Sequence, residues 1–130
     1  MKVKYIRIDY RTSISCVGIY MNGAVQIDPN KLGERITSSI VCFNEQNKVF
    51  VGDEMINQKM KQFNKIIYEV KGFIGLSYEE FVEMKYNKIL NYEVVNQNGF
   101  TKIKININGN ESFYLPEEIS SLIYKKNDKV

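Results

Sequence analysis

The chain has 130 residues, 44% of them hydrophobic and 25% charged, which is long enough for one globular domain with a buried core and too short for two. That composition excludes a disordered, fibrous or collagen-like polymer. The formal charge is only +3, with 18 Lys and Arg scattered among 15 Asp and Glu. No concentrated basic face for nucleic acid results, and the small cluster Lys125, Lys126 and Lys129 shares its tail with Asp128 and reads as a solvated end.

Taken in chain order, the first signal is alternation from Val3 to Ile8, ending at Asp9, which predicts a strand. Cys16 to Met21 and Ala24 to Ile27 flank Asn22-Gly23, the pair best suited to a tight turn with positive φ at both central positions, and predict a hairpin. Ser39 to Phe43, a turn over Asn44 to Asn47, and Lys48 to Gly52 predict a second hairpin. Asp53 is placed to cap a helix through Met55, Ile56, Lys59 and Met60. The stretch from Ile66 to Ile74 is less regular, and Ser77-Tyr78-Glu79-Glu80 then forms a capping box ahead of Phe81, Val82 and Met84. From Tyr92 onward, Val94-Val95, Lys102 to Ile107 and Ser112 to Leu115 are separated by Asn98-Gly99 and Asn108-Gly109, predicting a three-stranded meander. Pro116 starts a closing helix with Glu117 and Glu118 first and Lys125 near its end, matching the helix dipole, and its Ile119, Leu122 and Ile123 stripe wants a sheet to cover.

Cys16 and Cys42 lie far apart in apolar runs, and the chain has no histidine. Neither a zinc cage nor a serine-histidine triad is readable, and the expectation is two reduced, buried thiols in a cytoplasmic protein. The N-terminus introduces charge too often for a signal peptide, and no run approaches the roughly 20 apolar residues of a membrane span. Asn110-Glu111-Ser112 matches a glycosylation sequon by chance in such a chain. No Gly-x-x-x-x-Gly-Lys-Ser/Thr loop is present, and Glu79-Glu80 and Glu117-Glu118 belong to helix starts.

The order of the pieces carries a resemblance. Ile8-Asp9-Tyr10-Arg11-Thr12-Ser13-Ile14-Ser15-Cys16-Val17 resembles the phosphate hairpin that opens DnaK-type, seventy-kilodalton heat-shock chaperones. Asn22-Gly23 followed by Ile27 to Ser39 is similar to the stretch after that hairpin, and Val51-Gly52-Asp53 and Asn57-Gln58 match the family's Val-Gly-Asp and Asn-Gln. Ile67-Tyr68-Glu69-Val70-Lys71-Gly72-Phe73-Ile74-Gly75 resembles the segment with its catalytic lysine, and Pro116-Glu117-Glu118-Ile119-Ser120-Ser121-Leu122 its Pro-Glu-Glu-Ile-Ser motif. The matches run in register from about Ile6 to Lys126.

The resemblance implies a partial first lobe of an actin-like, ribonuclease H-like ATPase, a mixed α+β fold with twisted mixed sheets and flanking helices. An inner subdomain would take residues 1 to about 37 and 116–130, and an inserted outer subdomain about 38–115. It also implies ATP or ADP with magnesium. Tyr10, Arg11, Thr12 and Ser13 would face the phosphates, with Thr12 and Ser13 supplying hydroxyls. Asp9 would hold the magnesium ion through water, and Lys71 would be the catalytic lysine, acting by position and charge.

The chain departs from the family at the phosphate loop. Arg11 replaces a glycine, so that a Cβ at a turn needing positive φ is expected to cost about 1 kcal/mol and the guanidinium to cover the space meant for phosphate. Tyr10 replaces a small aliphatic residue, Arg7 a glycine and Ser38 a proline, and Ile14 takes a more polar or aromatic position. The matched residues include no second phosphate loop, later metal-site acids, adenosine pocket or peptide-binding domain. Two readings follow. In the first, the chain is a noncatalytic, degenerate chaperone lobe that acts as a binding or assembly module. The face left by the missing lobe would then meet a protein partner, a co-chaperone or a second copy. In the second, it belongs to an ATP-hydrolysing chaperone completed by a second lobe. A decayed gene product without a selected role stands behind both.

Overall fold

A computed structural model describes residues 5–29, 32–57 and 65–127. The sequence expectations at Val3, Lys4, Lys59, Met60 and Lys129 fall outside those residues. The first strands are β1 (Tyr5–Tyr10), β2 (Ile14–Met21) and β3 (Ala24–Asp28), paired antiparallel in the order β1-β2-β3. Asn22 and Gly23 turn β2 into β3 at φ 51° and 78°, as a two-residue hairpin of this chemistry requires. A two-residue strand, β4 (Thr37–Ser38), adds to β2 at Ile14 and Ser15.

A second sheet has β5 (Val41–Phe43) between β6 (Val49–Val51) and β7 (Ile66–Ile67). The third is the expected meander of β8 (Glu93–Gln97), β9 (Phe100–Ile107) and β10 (Asn110–Tyr114), with Asn98-Gly99 and Asn108-Gly109 at positive φ in its turns. Every strand pairing among the described residues is antiparallel, so the mixed sheets expected of the fold are here three antiparallel ones within a mixed α+β chain.

Among the described residues three α-helices complete the fold: α1 (Tyr78–Glu83), α2 (Tyr86–Ile89) and α3 (Pro116–Asn127). At α1 the expected capping box is present, with the Glu80 N–H donating to Ser77 Oγ and the Ser77 N–H to the Glu80 carboxylate. In α3, Glu118 reaches back to accept the Leu115 N–H at 3.3 Å. The helix lays Ile119 and Ile123 across β5, β6, β9 and the 3-10 turn Val70–Phe73. The helix expected from Asp53 is a 3-10 segment, Gly52–Asn57. Asp53 sits inside its first turn, accepting the Ser38 hydroxyl at 3.0 Å, while the Glu54 carboxylate takes the Val51 N–H. The capping expectation at Asp53 is thereby corrected: strand β6 runs straight into the segment, and Gly52 at φ 64° makes the bend where a cap would otherwise stand.

Most of the core lies on one side of the molecule. Val41 and Phe43 from β5, Ile67, Val70, Phe73, Phe81, Tyr92, the β9 residues Ile103, Ile105 and Ile107, and Ile119 and Ile123 of α3 form one buried cluster. On β9 the alternation is complete, with Thr101, Ile103, Ile105 and Ile107 inward. On the other face Lys104 bridges Glu93 and Glu111. Each buried isoleucine stabilises the fold by about 1.5–3 kcal/mol relative to exposure. In the β1–β3 sheet, by contrast, Tyr5, Ile6, Ile8, Tyr20, Val25 and Ile27 stay exposed. Among the described residues no helix is long and apolar enough to cross a membrane.

Candidate functional site

The residues nominated from the sequence meet where β1 turns into β2. Asp9 and Tyr10 end β1, and Arg11, Thr12 and Ser13 make the connection. The Arg11 N–H donates to the Ile14 carbonyl at 2.9 Å, closing the hairpin. Ser39, just after β4, clamps the loop from outside: its N–H donates to the Ser13 carbonyl at 2.8 Å and its hydroxyl to the Arg11 carbonyl at 2.9 Å. Two of the loop's carbonyls are therefore tied to one serine. Ser38 is fixed by β4 pairing and by its hydroxyl's bond to Asp53.

The expected strain at Arg11 is absent. Arg11 is not among the described residues with positive φ, so the loop takes its Cβ without the left-handed conformation that a glycine would allow. The chemical consequence of the replacement is instead electrostatic. Arg11 Nε donates to Asp9 Oδ2 at 3.1 Å, and its Nη2 lies 3.1 Å from the same oxygen. Alternate residues of an extended strand share a face, which brings the two side chains together. The pair is largely exposed and contributes little to stability. It does place a fixed cation on the carboxylate that would face a magnesium ion.

Lys71 comes to the same place from the 3-10 turn Val70–Phe73, preceded by Glu69 in a left-handed conformation at φ 61°. Its Nζ donates to the Tyr10 carbonyl and lies 5.7 Å from the centre of the Tyr10 ring. Tyr10 itself is half-buried: its hydroxyl is 2.9 Å from Ser120 Oγ, and its ring packs against Tyr124 of α3 at 5.1 Å. Burial raises the phenol above its ordinary value. Ser39, Ser120 and Tyr124 carried no local signal for this site, because their contacts join residues 28 and 110 positions apart or cross from helix to strand.

All six nominated residues, Asp9, Tyr10, Arg11, Thr12, Ser13 and Lys71, thus belong to one neighbourhood. The groups present do not fit a magnesium-nucleotide. The carboxylate for the metal is occupied by a guanidinium, the lysine is held on a backbone carbonyl and an aromatic face, and the loop directs two carbonyl dipoles to Ser39. A phosphate approaching this loop would find Arg11 as its cation, in place of the open backbone amides that a glycine leaves.

Elsewhere, Cys16 is half-buried on the β1–β3 sheet and Cys42 fully buried in β5, both as free thiols. Burial, reinforced by the nearby Glu54 carboxylate, pushes the Cys42 thiol up to about 11. In a comparison with known protein families, the model for the Hsp70 protein family matches residues 5–129.

Proposed function

We propose, since this chain belongs to the Hsp70 family, that it is a noncatalytic module of that chaperone family, acting in the cytoplasm by binding or assembly and hydrolysing no ATP on its own. Proteins of this family bind ATP or ADP with magnesium and work with co-chaperones and substrate proteins. The observation that carries the proposal is the double occupation of the half-site, Arg11 on Asp9 and Lys71 on the Tyr10 carbonyl. Both groups that would act on a metal-bound phosphate already have partners inside the chain. The inner part, residues 1–37 with 116–130, then serves to present a surface, and the exposed apolar residues of β1–β3 are what it presents.

The second reading, an ATP-hydrolysing chaperone completed by another lobe, draws on the convergence of the six nominated residues at one place. Thermal unfolding with and without magnesium and ATP or ADP separates the two. A bound ligand at 100 times its Kd stabilises by about 2.7 kcal/mol, so occupancy is easily seen. The expected result is no shift with millimolar nucleotide. A magnesium-dependent rise in Tm that disappears in Lys71→Ala would overturn the noncatalytic reading and restore the second.

A further inference from the structure

The three Asn-Gly pairs that turn the hairpins, Asn22-Gly23, Asn98-Gly99 and Asn108-Gly109, also carry a chemistry of their own. Glycine has no Cβ to shield its main-chain nitrogen, so that nitrogen can attack the side-chain carbonyl carbon of the asparagine before it. The Gly N–H gives up its proton, a bond forms from its nitrogen to Asn Cγ, and the Cγ–Nδ2 bond breaks. The leaving nitrogen takes up the proton and departs as ammonia. Water then opens the cyclic imide at either carbonyl, giving aspartate or isoaspartate. The sequence needs no reagent but water, and its nucleophile is the deprotonated amide.

Backbone and exposure put the three pairs on equal terms. Asn22, Asn98 and Asn108 sit at φ 51°, 53° and 52°, and Gly23, Gly99 and Gly109 at 78°, 87° and 86°. All six residues are exposed. What differs is the residue three positions before each glycine. Before Gly99 it is Asn96, whose Oδ1 accepts the Gly99 N–H at 2.8 Å, and before Gly109 it is Asn106, whose Oδ1 accepts the Gly109 N–H at 3.0 Å. Before Gly23 it is Tyr20, which has no amide oxygen to offer and whose ring centre lies 6.2 Å from that of Tyr5. A hydrogen bond made by the protonated form of a group opposes loss of its proton, so Asn96 and Asn106 hold back the nucleophile in their own turns. Asn108 is restrained a second time, because its Nδ2 donates to the Glu45 carbonyl at 3.3 Å and thereby fixes the side chain to be attacked.

We propose that Asn22 is a site of spontaneous deamidation in the folded chain, a modification at the tip of the β2–β3 hairpin, with Asn98 slower and Asn108 slowest. The product alters the sheet in two ways. A carboxylate takes the place of a neutral amide and lowers the formal charge of +3 by one. As isoaspartate it also adds a methylene to the main chain of the two-residue turn that sets the Met21–Ala24 pairing. The inference goes beyond the binding-module reading and stands whether or not nucleotide binds.

Peptide mass spectrometry on the full chain, aged in mildly alkaline buffer and followed site by site, tests it, and methyl transfer by an isoaspartyl methyltransferase marks the isoaspartate product. Asn22 is expected to convert faster than Asn98 by about threefold to tenfold, the range that one net hydrogen bond is worth, and Asn108 to lag behind Asn98. In the chain unfolded by urea the three rates should draw together, since the difference lies in the fold. N96A should bring Asn98 up toward the rate of Asn22, and N106A should speed Asn108; both replacements are at exposed positions, and circular dichroism checks that each variant keeps its fold. Asn98 or Asn108 converting as fast as Asn22 in the folded wild type overturns the proposal. So does a folded N96A chain in which Asn98 is no faster than before. An Asn22 that stays intact in the folded chain, over a time in which the unfolded chain converts, overturns it as well.

Discussion

Two parts of this molecule are written in much the same alphabet of isoleucine, valine and tyrosine, yet only one of them buries it. From Val41 to Tyr114, with α3 laid across, Phe43, Phe73, Phe81, Ile103 and Ile105 are wholly out of water. In the β1–β3 sheet Tyr5 and Val25 remain 72% and 71% exposed. Strand geometry alternates in both, so propensity does not separate them. What separates them is the element opposite: β9 has α3 and α1 against it, whereas the face carrying Tyr5, Tyr20, Val25 and Ile27 is an open depression of about 270 Å³. Burial is a property of pairs of elements, and a hydrophobic pattern states a need without naming what meets it.

The contrast predicts a graded response to mutation. Phe81→Ala, in the closed part, should lower stability by about 3–5 kcal/mol, the usual cost of emptying a buried aromatic site, read as a fall in denaturation midpoint; a loss below about 1 kcal/mol would mean that this core is not as packed as its contacts suggest. Next comes Gly52→Ala, at the bend that follows β6. Its Cβ would lie 2.8 Å from Thr37 Cγ2 at φ 64°, and the combined strain and crowding should cost about 1–3 kcal/mol. Ser77→Ala removes one half of the α1 capping box and should cost about 1 kcal/mol. Val25→Ala, on the open sheet, should change monomer stability by no more than about 0.5 kcal/mol, measured under dilute conditions.

The two thiols report on the same difference without any mutation. Cys16 should react with an aromatic disulfide reagent in the native state. Cys42, buried and with its thiol pushed up to about 11, should react only through unfolding, at a rate that tracks denaturant. The sign for stability follows from the same shift. A thiol whose folded value is raised favours the neutral form, so its contribution is complete below the unfolded value near 8.5 and is lost as pH rises toward 11. Cys42→Ala should flatten that alkaline loss.

Much of the fold was legible because its turns are chemically explicit. Asn22-Gly23, Asn98-Gly99 and Asn108-Gly109 all adopt the positive φ that the pair favours, and Ser77 with Glu80 makes the box its spacing announces. The strands of two residues, Thr37–Ser38 and Ile66–Ile67, were not legible, since two residues have no period and owe their geometry to β2 and β5. The 3-10 character of Gly52–Asn57 was likewise hidden, because a helix start at Asp53 and a tighter turn at Gly52 share the same residues. At the site, the structure brings Asp9, Arg11 and Lys71 to the β1–β2 connection, and Arg11 makes an ion pair with Asp9 there. Reasoning from the missing glycine led to backbone strain, whereas the strand rule that residues two apart share a face already pointed to the pair with Asp9. No local signal led to Ser39, whose two bonds shape the loop from 28 residues away.

Tyr10 sets the order in which this fold can be completed. Its hydroxyl bond to Ser120 spans 110 positions, one of the longest closures the chain could make, while the meander and both early hairpins close over a handful of residues. Local pairings of that kind form quickly, and distant ones wait on the entropy of the loop they shut. The first strand can therefore fold into its hairpin early but gains its fastening to α3 only once that helix has formed. Until then Tyr10 has neither its hydroxyl partner nor the Tyr124 ring, and Ser39 and Lys71 are what hold the opening hairpin to the rest of the fold.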